Sequence, residues 1–181
     1  MDDQLTAFLA RHTPEATEDL VWGDRMRLFL TAYLSQEMPP LSYLTSAKAV
    51  VIRDGSVLVQ RDRDSRHILP GGRLEEKELP EAALRREIGE ETGWSLGKVA
   101  IIGFMHFLHL DQKPPDYRYP YPGFLQVVYA AEALAYSPEI MVEDGYEIDS
   151  GFVPVSDVRR MDLTPKEMMY LDAALKRNGI T

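Results

Sequence analysis

The apolar residues of this chain change their spacing near residue 46, and the change divides it into two textures. Before that point the spacing is helical. Leu5, Phe8 and Leu9 fall on one helical face, and Thr13-Pro14-Glu15 has the order of an N-cap, a first-turn proline and an early acid. Trp22, Met26, Phe29 and Tyr33 then recur at intervals of three and four, which predicts a second, longer helix stopped by Pro39-Pro40. Residues 1–41 are therefore expected to form a helical extension. Its apolar stripe is expected to pack on the main domain, with a homodimer surface or a wall of a substrate pocket as the alternatives.

From Ser46 onward the runs are short and β-branched. Ala49-Val50-Val51-Ile52 and Val57-Leu58-Val59 flank Asp54-Gly55, a dipeptide suited to a tight hairpin. A Gly-Gly loop leads into a helix predicted over 80–92, with Gly93 placed to stop it. Residues 98–110 and 124–135 read as long strands, joined by a proline- and tyrosine-rich connection. A shorter strand over 148–153 and a closing helix beginning at Thr164-Pro165-Lys166-Glu167 complete the pattern. Strands interleaved with helices, hairpins included, indicate an α/β chain of the α+β type over residues 42–181: a mixed sheet covered by helices.

Composition narrows the function. No stretch approaches the roughly 18 apolar residues that span a bilayer, and Met1 is followed by Asp2 and Asp3, so neither a membrane span nor a signal peptide is expected. The chain has no cysteine, which removes disulfides, thiolate nucleophiles and thiolate metal sites and suits a cytoplasmic location. A formal net charge of -9 opposes the phosphate backbone, which argues against a nucleic-acid polymer as partner. A small anionic ligand is still admissible, because a bound divalent cation inverts the local sign of the field.

The chemistry is concentrated between residues 71 and 94. On a helix, Glu87, Glu90 and Glu91 stand at i, i+3 and i+4 and crowd one face, beside an apolar face carrying Leu84 and Ile88. Like charges at the margin of a buried stripe repel more strongly as the effective dielectric constant falls, and a divalent cation relieves them. An all-oxygen cluster suits Mg²⁺, with Mn²⁺ as a substitute, rather than zinc. Magnesium is usually held jointly by carboxylates, water and phosphate oxygens, so a phosphate-bearing ligand is implied.

The segment resembles the Nudix box, G-x5-E-x7-R-E-U-x-E-E-x-G-U with U bulky and apolar. Gly72, Glu78, Arg86, Glu87, Ile88, Glu90, Glu91, Gly93 and Trp94 occupy its nine positions. At ~7% usage per residue, the seven fixed letters match by chance on the order of 10⁻⁸ per start. The order of strands and helices extends the resemblance over 42–181 and implies a Nudix-type α/β/α sandwich. It further implies that Glu87, Glu90 and Glu91 ligate the metal, one of them orienting or deprotonating water, with the carbonyl of Gly71 completing the shell. Arg86 and Glu78 would brace loop and helix, and Gly72 and Gly93 would shape the two ends. Trp94 and His67 depart from the residues usual there, which bears on substrate shape. Leu110 and Gln112 lack the proline and tyrosine of two substrate subgroups, so the resemblance names no substrate.

Other residues carry two readings each. Arg61 either contacts a phosphate or ends a strand in solvent, and His67 lies beside the glycine loop but is an ordinary packing candidate. His106 and His109, three apart on a strand, face opposite ways and are set aside as a metal pair. Tyr117 and Tyr119, in the stiff connection over 111–124, either stack on a nucleobase or serve a surface or subunit contact. Glu143 and Glu147 are candidates for an additional base or ligand, against a plain acidic loop.

The expectation is a Mg²⁺-dependent Nudix hydrolase that cuts the diphosphate linkage of a nucleoside diphosphate joined to another moiety, by attack of water on phosphorus. The alternative from another class is a nucleotide-binding or sensor module that keeps the fold without turnover. An isomerase acting on a diphosphate compound is weaker, since the family's isomerases call for a cysteine.

Overall fold

The densest apolar runs of the sequence become strands buried on both faces. The computed structural model describes residues 3–22, 26–61, 66–142 and 149–179. Along the chain these form α1 (Asp3–Leu9), β1 (Pro14–Trp22), β2 (Met26–Leu34), β3 (Leu44–Arg53), β4 (Ser56–Arg61), β5 (Arg66–His67), α2 (Pro80–Thr92), β6 (Trp94–His109), β7 (Gly123–Tyr136), β8 (Asp149–Pro154), α3 (Val155–Val158) and α4 (Pro165–Arg177). The strands make one mixed sheet in the order β1-β2-β6-β7-β3-β4-β5, with β8 also paired to β4. β3 and β7 run parallel, and the other pairs are antiparallel.

Two apolar cores lie on the two faces of this sheet. Ala47, Ala49 and Val51 of β3 join Leu84 and Ile88 of α2, and Leu5 and Phe8 of α1, on one side. Val50 and Ile52 join Tyr170, Leu171, Ala174 and Leu175 of α4 on the other. Because side chains alternate across a strand and both faces are covered, β3 reads as a near-continuous apolar run. The expected α/β/α layering is therefore present, with an N-terminal helix.

The second, longer helix expected before Pro39-Pro40 is absent: those residues form the β1–β2 hairpin, joined to the main sheet through β2 and β6. Its three- and four-residue stripe was a coincidence of two registers. Met26 lies on the face of Leu28, Leu30 and Ala32, which are buried in the core beneath α4, whereas Tyr33 packs in the opposite core with Leu5 and Phe8. Pro14, whose place after Thr13 predicts a helix start, instead begins β1 at the sheet edge, where a missing N–H breaks no ladder.

Two features of the fold position the loop ahead of α2. Thr164 and Glu167 form a reciprocal capping box on α4. The other oxygen of Glu167 accepts from the N–H of Ile68 at 3.3 Å, tying the chain before the glycines to the far layer. Gly93, in the left-handed region at φ 73°, ends α2 as expected, its N–H donating to Gly89.

Candidate functional site

β3 and β4 share only the pairs Ile52–Val57 and Arg53–Ser56 before they part. Residues 70–74 fill the gap along β3: Ala49 N–H donates to Pro70 O, Ala47 N–H to Gly72 O, and Leu74 N–H to Thr45 O, each at 3.0 Å. Since 70 and 72 turn their carbonyls to β3, Gly71 turns its own polar groups the other way. Its N–H donates to Glu91 Oε2 at 3.2 Å and its carbonyl accepts from Lys48 Nζ. A side chain is excluded here, because a Cβ on Gly71 would lie 2.4 Å from the carbonyl of Ala47, at a φ of +115°. At Gly72 a Cβ would lie 2.3 Å from the Glu87 carboxylate. The two glycines thus let backbone approach two glutamates.

α2 supplies those glutamates from its polar margin while Ala83, Leu84 and Ile88 are fully buried. Pro80 starts the helix and Gly93 stops it, which fixes where the last turn falls. Arg86 binds Glu78 through two parallel bonds of 3.0 and 2.9 Å. Its third nitrogen, Nη1, donates to Glu87 at 2.9 Å and to Glu90 at 3.1 Å, while Nη2, already on Glu78, also donates to Arg73 O. The Arg86 hydrogen bonds hold Glu78 below the usual carboxylate range, and in return Glu78 raises the guanidinium.

Glu91 differs. Burial pushes its pKa up, against the opposing pull of Lys48, the Gly71 N–H and Gln60, while neighbouring Glu87 pushes it further up. Gln60 Nε2 donates to the same Oε2 at 3.2 Å. A cavity of about 380 Å³ opens beside it, lined by Trp94, Tyr136, Met141 and Phe152 among others. A larger cavity of about 960 Å³, between β2, β6 and α4, lies away from these carboxylates and carries none of their chemistry.

The structure brings Glu78, Arg86, Glu87, Glu90, Glu91, Gly71 and Gly72 into one contact network. Tyr119 also reaches it, because Arg73 Nη1 donates to its hydroxyl at 3.0 Å with the guanidinium 5.2 Å from the ring centroid. Tyr117 stands behind, its hydroxyl 2.8 Å from His109 Nε2. His67 pairs in register with Gln60 and is half-buried. Arg61 is exposed, and alternation along β4 sends it to the face opposite Gln60, away from Glu91. Glu143 and Glu147 lie outside the described residues; Val142 N–H, just ahead of them, donates to Glu90 O at 2.9 Å.

Among the described residues, no group of three His, Cys, Asp or Glu side chains converges as ready-made metal ligands. Glu87 and Glu90 face Arg86, and Glu91 faces Gly71 and Gln60. His106 is buried with no partner for Nε2 among the described residues, and burial pushes its pKa down to about 4. Three residues around the site were not singled out from the sequence: Lys48, Gln60 and Arg73. The signal for the first two was a polar residue inside an apolar strand run, at Ala47-Lys48-Ala49 and Val59-Gln60.

A family model described as NUDIX domain matches residues 43–172. A MutT-like protein of Streptomyces ambofaciens is 41% identical over 69 residues, 38% of this chain and 45% of the relative, so the match spans less than half of that protein. A NUDIX hydrolase from Nitrosomonas europaea superposes with a TM-score of 0.56 at 19% identity, covering 76% of this chain and 89% of the other. A Bacillus subtilis pyrophosphohydrolase gives 0.55 at 19%, covering 83% and 90%, and an ADP compounds hydrolase 0.55 at 15%, covering 94% and 97%. At these identities the likeness to the solved structures is one of fold.

Proposed function

The chain belongs to the NUDIX family, and we propose that it is a Mg²⁺-dependent hydrolase cleaving the P–O–P linkage of a nucleoside diphosphate joined to another moiety, with Mn²⁺ able to substitute. The observation that carries this reading is the meeting of Glu87 and Glu91 with the Gly71-Gly72 backbone where β3 and β4 part. The fit to a divalent cation follows from the donors: carboxylates of Glu87, Glu90 and Glu91 and the carbonyl of Gly71 are all hard oxygens. That carbonyl already accepts from an ammonium group, so the position attracts positive charge. A divalent ion bound there supplies charge neutralisation for the leaving phosphate and lowers the pKa of water.

The remaining roles belong to the chain itself. Arg86 fixes the orientation of Glu87 and Glu90 while Glu78 fixes Arg86. Glu91, its Oε2 taken by Gly71 and Gln60, has Oε1 left to receive a proton from the attacking water. Burial raises its pKa, which suits it to accept a proton. The loop carrying Tyr117 and Tyr119 borders the substrate through the Arg73–Tyr119 contact, and its rings offer a platform for a base. No described helix is long and apolar enough to cross a membrane, and the lack of cysteine supports a cytoplasmic placement.

The test is a Mg²⁺-dependent screen of nucleoside diphosphate conjugates with products identified by mass, run in parallel on Glu90→Gln and Glu91→Gln. Turnover by the parent and its loss in folded variants is expected. Saturable nucleotide binding with no turnover in the parent would instead mark a sensor module.

A further inference from the structure

Lys48 is placed where a lysine has to be explained. It sits in β3 between Ala47 and Ala49, both fully buried, with Val50 and Ile52 following it on its own face into the core beneath α4. A charged head in such a strand must find a partner, since desolvating an ammonium group without compensation is costly. The partner is the Gly71 carbonyl, the backbone oxygen assigned above to the metal shell. The ammonium also interacts favourably with Glu91, whose carboxylate is fixed by the N–H of that same glycine. Lys48 therefore holds positive charge on two of the groups that would hold a divalent ion.

We propose that Lys48 and the divalent ion are alternative occupants of one cation position, so that Lys48 keeps the metal affinity of the substrate-free protein low. This rests on the reading that these carboxylates grip a metal at all. Two cations at hydrogen-bonding range of one carbonyl repel strongly in a half-buried setting, so metal entry requires the ammonium to leave Gly71. The four-carbon stem allows that move without disturbing β3. Once displaced, the ammonium is a mobile positive charge at the edge of the site, of the sign a diphosphate ligand requires. Substrate phosphate oxygens then add ligands to the ion and a partner for Lys48 together, which couples metal binding to substrate binding.

The experiment is Mn²⁺ binding to metal-free protein without substrate, read from the electron paramagnetic resonance of free Mn²⁺. It compares the parent with Lys48→Met, Lys48→Gln and Lys48→Arg. The two neutral variants are expected to bind Mn²⁺ about tenfold more tightly than the parent, and Mn²⁺ should raise their melting temperatures further. Lys48→Arg, which keeps the charge, should stay near the parent. Equal or weaker binding in both neutral variants, beside clear binding by the parent, would overturn this inference and leave the hydrolase proposal intact. Absence of Mn²⁺ binding in the parent and every variant would remove the metal site itself, and this inference with it.

Discussion

Glu87 and Glu90 meet a guanidinium, whereas Glu91, on the same helix and one turn from Glu87, meets a backbone N–H, a primary amide and the field of Lys48. The outer pair is partly exposed and held by Arg86, itself clamped on Glu78, so its orientation is set by the protein, while one guanidinium shared by three carboxylates leaves net negative charge there. The inner carboxylate is shielded and its pKa is raised by burial, so its charge is the one that burial makes costly. Ordered contacts and shielding are thus divided between two parts of one helical turn. Arg86 supplies order, and burial of Glu91 supplies the demand for a cation or a proton.

The sharpest way to break this contrast is Glu91→Gln, which keeps the shape and removes the charge. It is expected to lower kcat about 10³-fold under saturating Mg²⁺, roughly 4 kcal/mol of barrier, as measured by steady-state product formation. In metal-free protein the same change should not destabilise the fold. A raised carboxyl pKa means that Glu91 favours folding at low pH and loses that contribution as pH rises through its folded value, so the amide variant should show no such loss in denaturant melts.

A buried group remote from the carboxylates separates burial from chemistry. His106 is depressed from 6.5 to about 4 by burial alone. At about 1.4 kcal/mol per pH unit, its neutral form contributes about 3 kcal/mol of stability above pH 6.5 that is lost as pH falls to about 4. His106→Leu should flatten the dependence of unfolding free energy on pH over that interval and leave kcat near the parent value. A fall in kcat comparable to that of Glu91→Gln would show that burial of any ionisable group matters, not its place in the site.

On the outer side of the comparison, Arg86→Lys keeps the charge but loses the two-pronged grip on Glu78 and the shared contact to Glu87 and Glu90. A drop in kcat/KM of roughly ten- to a hundredfold is expected, without the change in base pKa that a Glu91 variant brings to the pH profile. The smallest effect belongs to the loop. Tyr119→Phe removes the hydroxyl held by Arg73 and should raise KM about threefold with kcat unchanged, the size of one partly exposed hydrogen bond.

The sequence displayed the box helix well because its ends are set by local chemistry: Pro80 at the first turn, Gly93 in the left-handed region, and carboxylates whose side of the helix follows from spacing alone. The strands of the central sheet were visible for a related reason, their apolar runs being too continuous for anything but two-sided burial. The β1–β2 hairpin is hard to read because β2, covered on both faces, carries apolar residues in both registers and so loses a clean period of two. The accidental alignment of Trp22, Met26, Phe29 and Tyr33 outweighs what is left of it, and what fixes the hairpin is pairing with β6, distant in sequence. Lys48 and Gln60 escaped notice for the same kind of reason. A polar residue in an apolar run marks them as unusual, but what they contact depends on β3 and β4 parting around Gly71, a tertiary event.

The most direct measurement is anomalous diffraction from crystals soaked in Mn²⁺ with a non-hydrolysable nucleoside diphosphate conjugate. A manganese peak bounded by the Glu87 and Glu91 carboxylates and the Gly71 carbonyl, with the diphosphate against it, is the expected result. Ordered diphosphate elsewhere on the protein, with no manganese at those oxygens and Glu91 still bonded only to Gly71 and Gln60, would contradict the claim that this turn of helix exists to grip a metal-bound diphosphate.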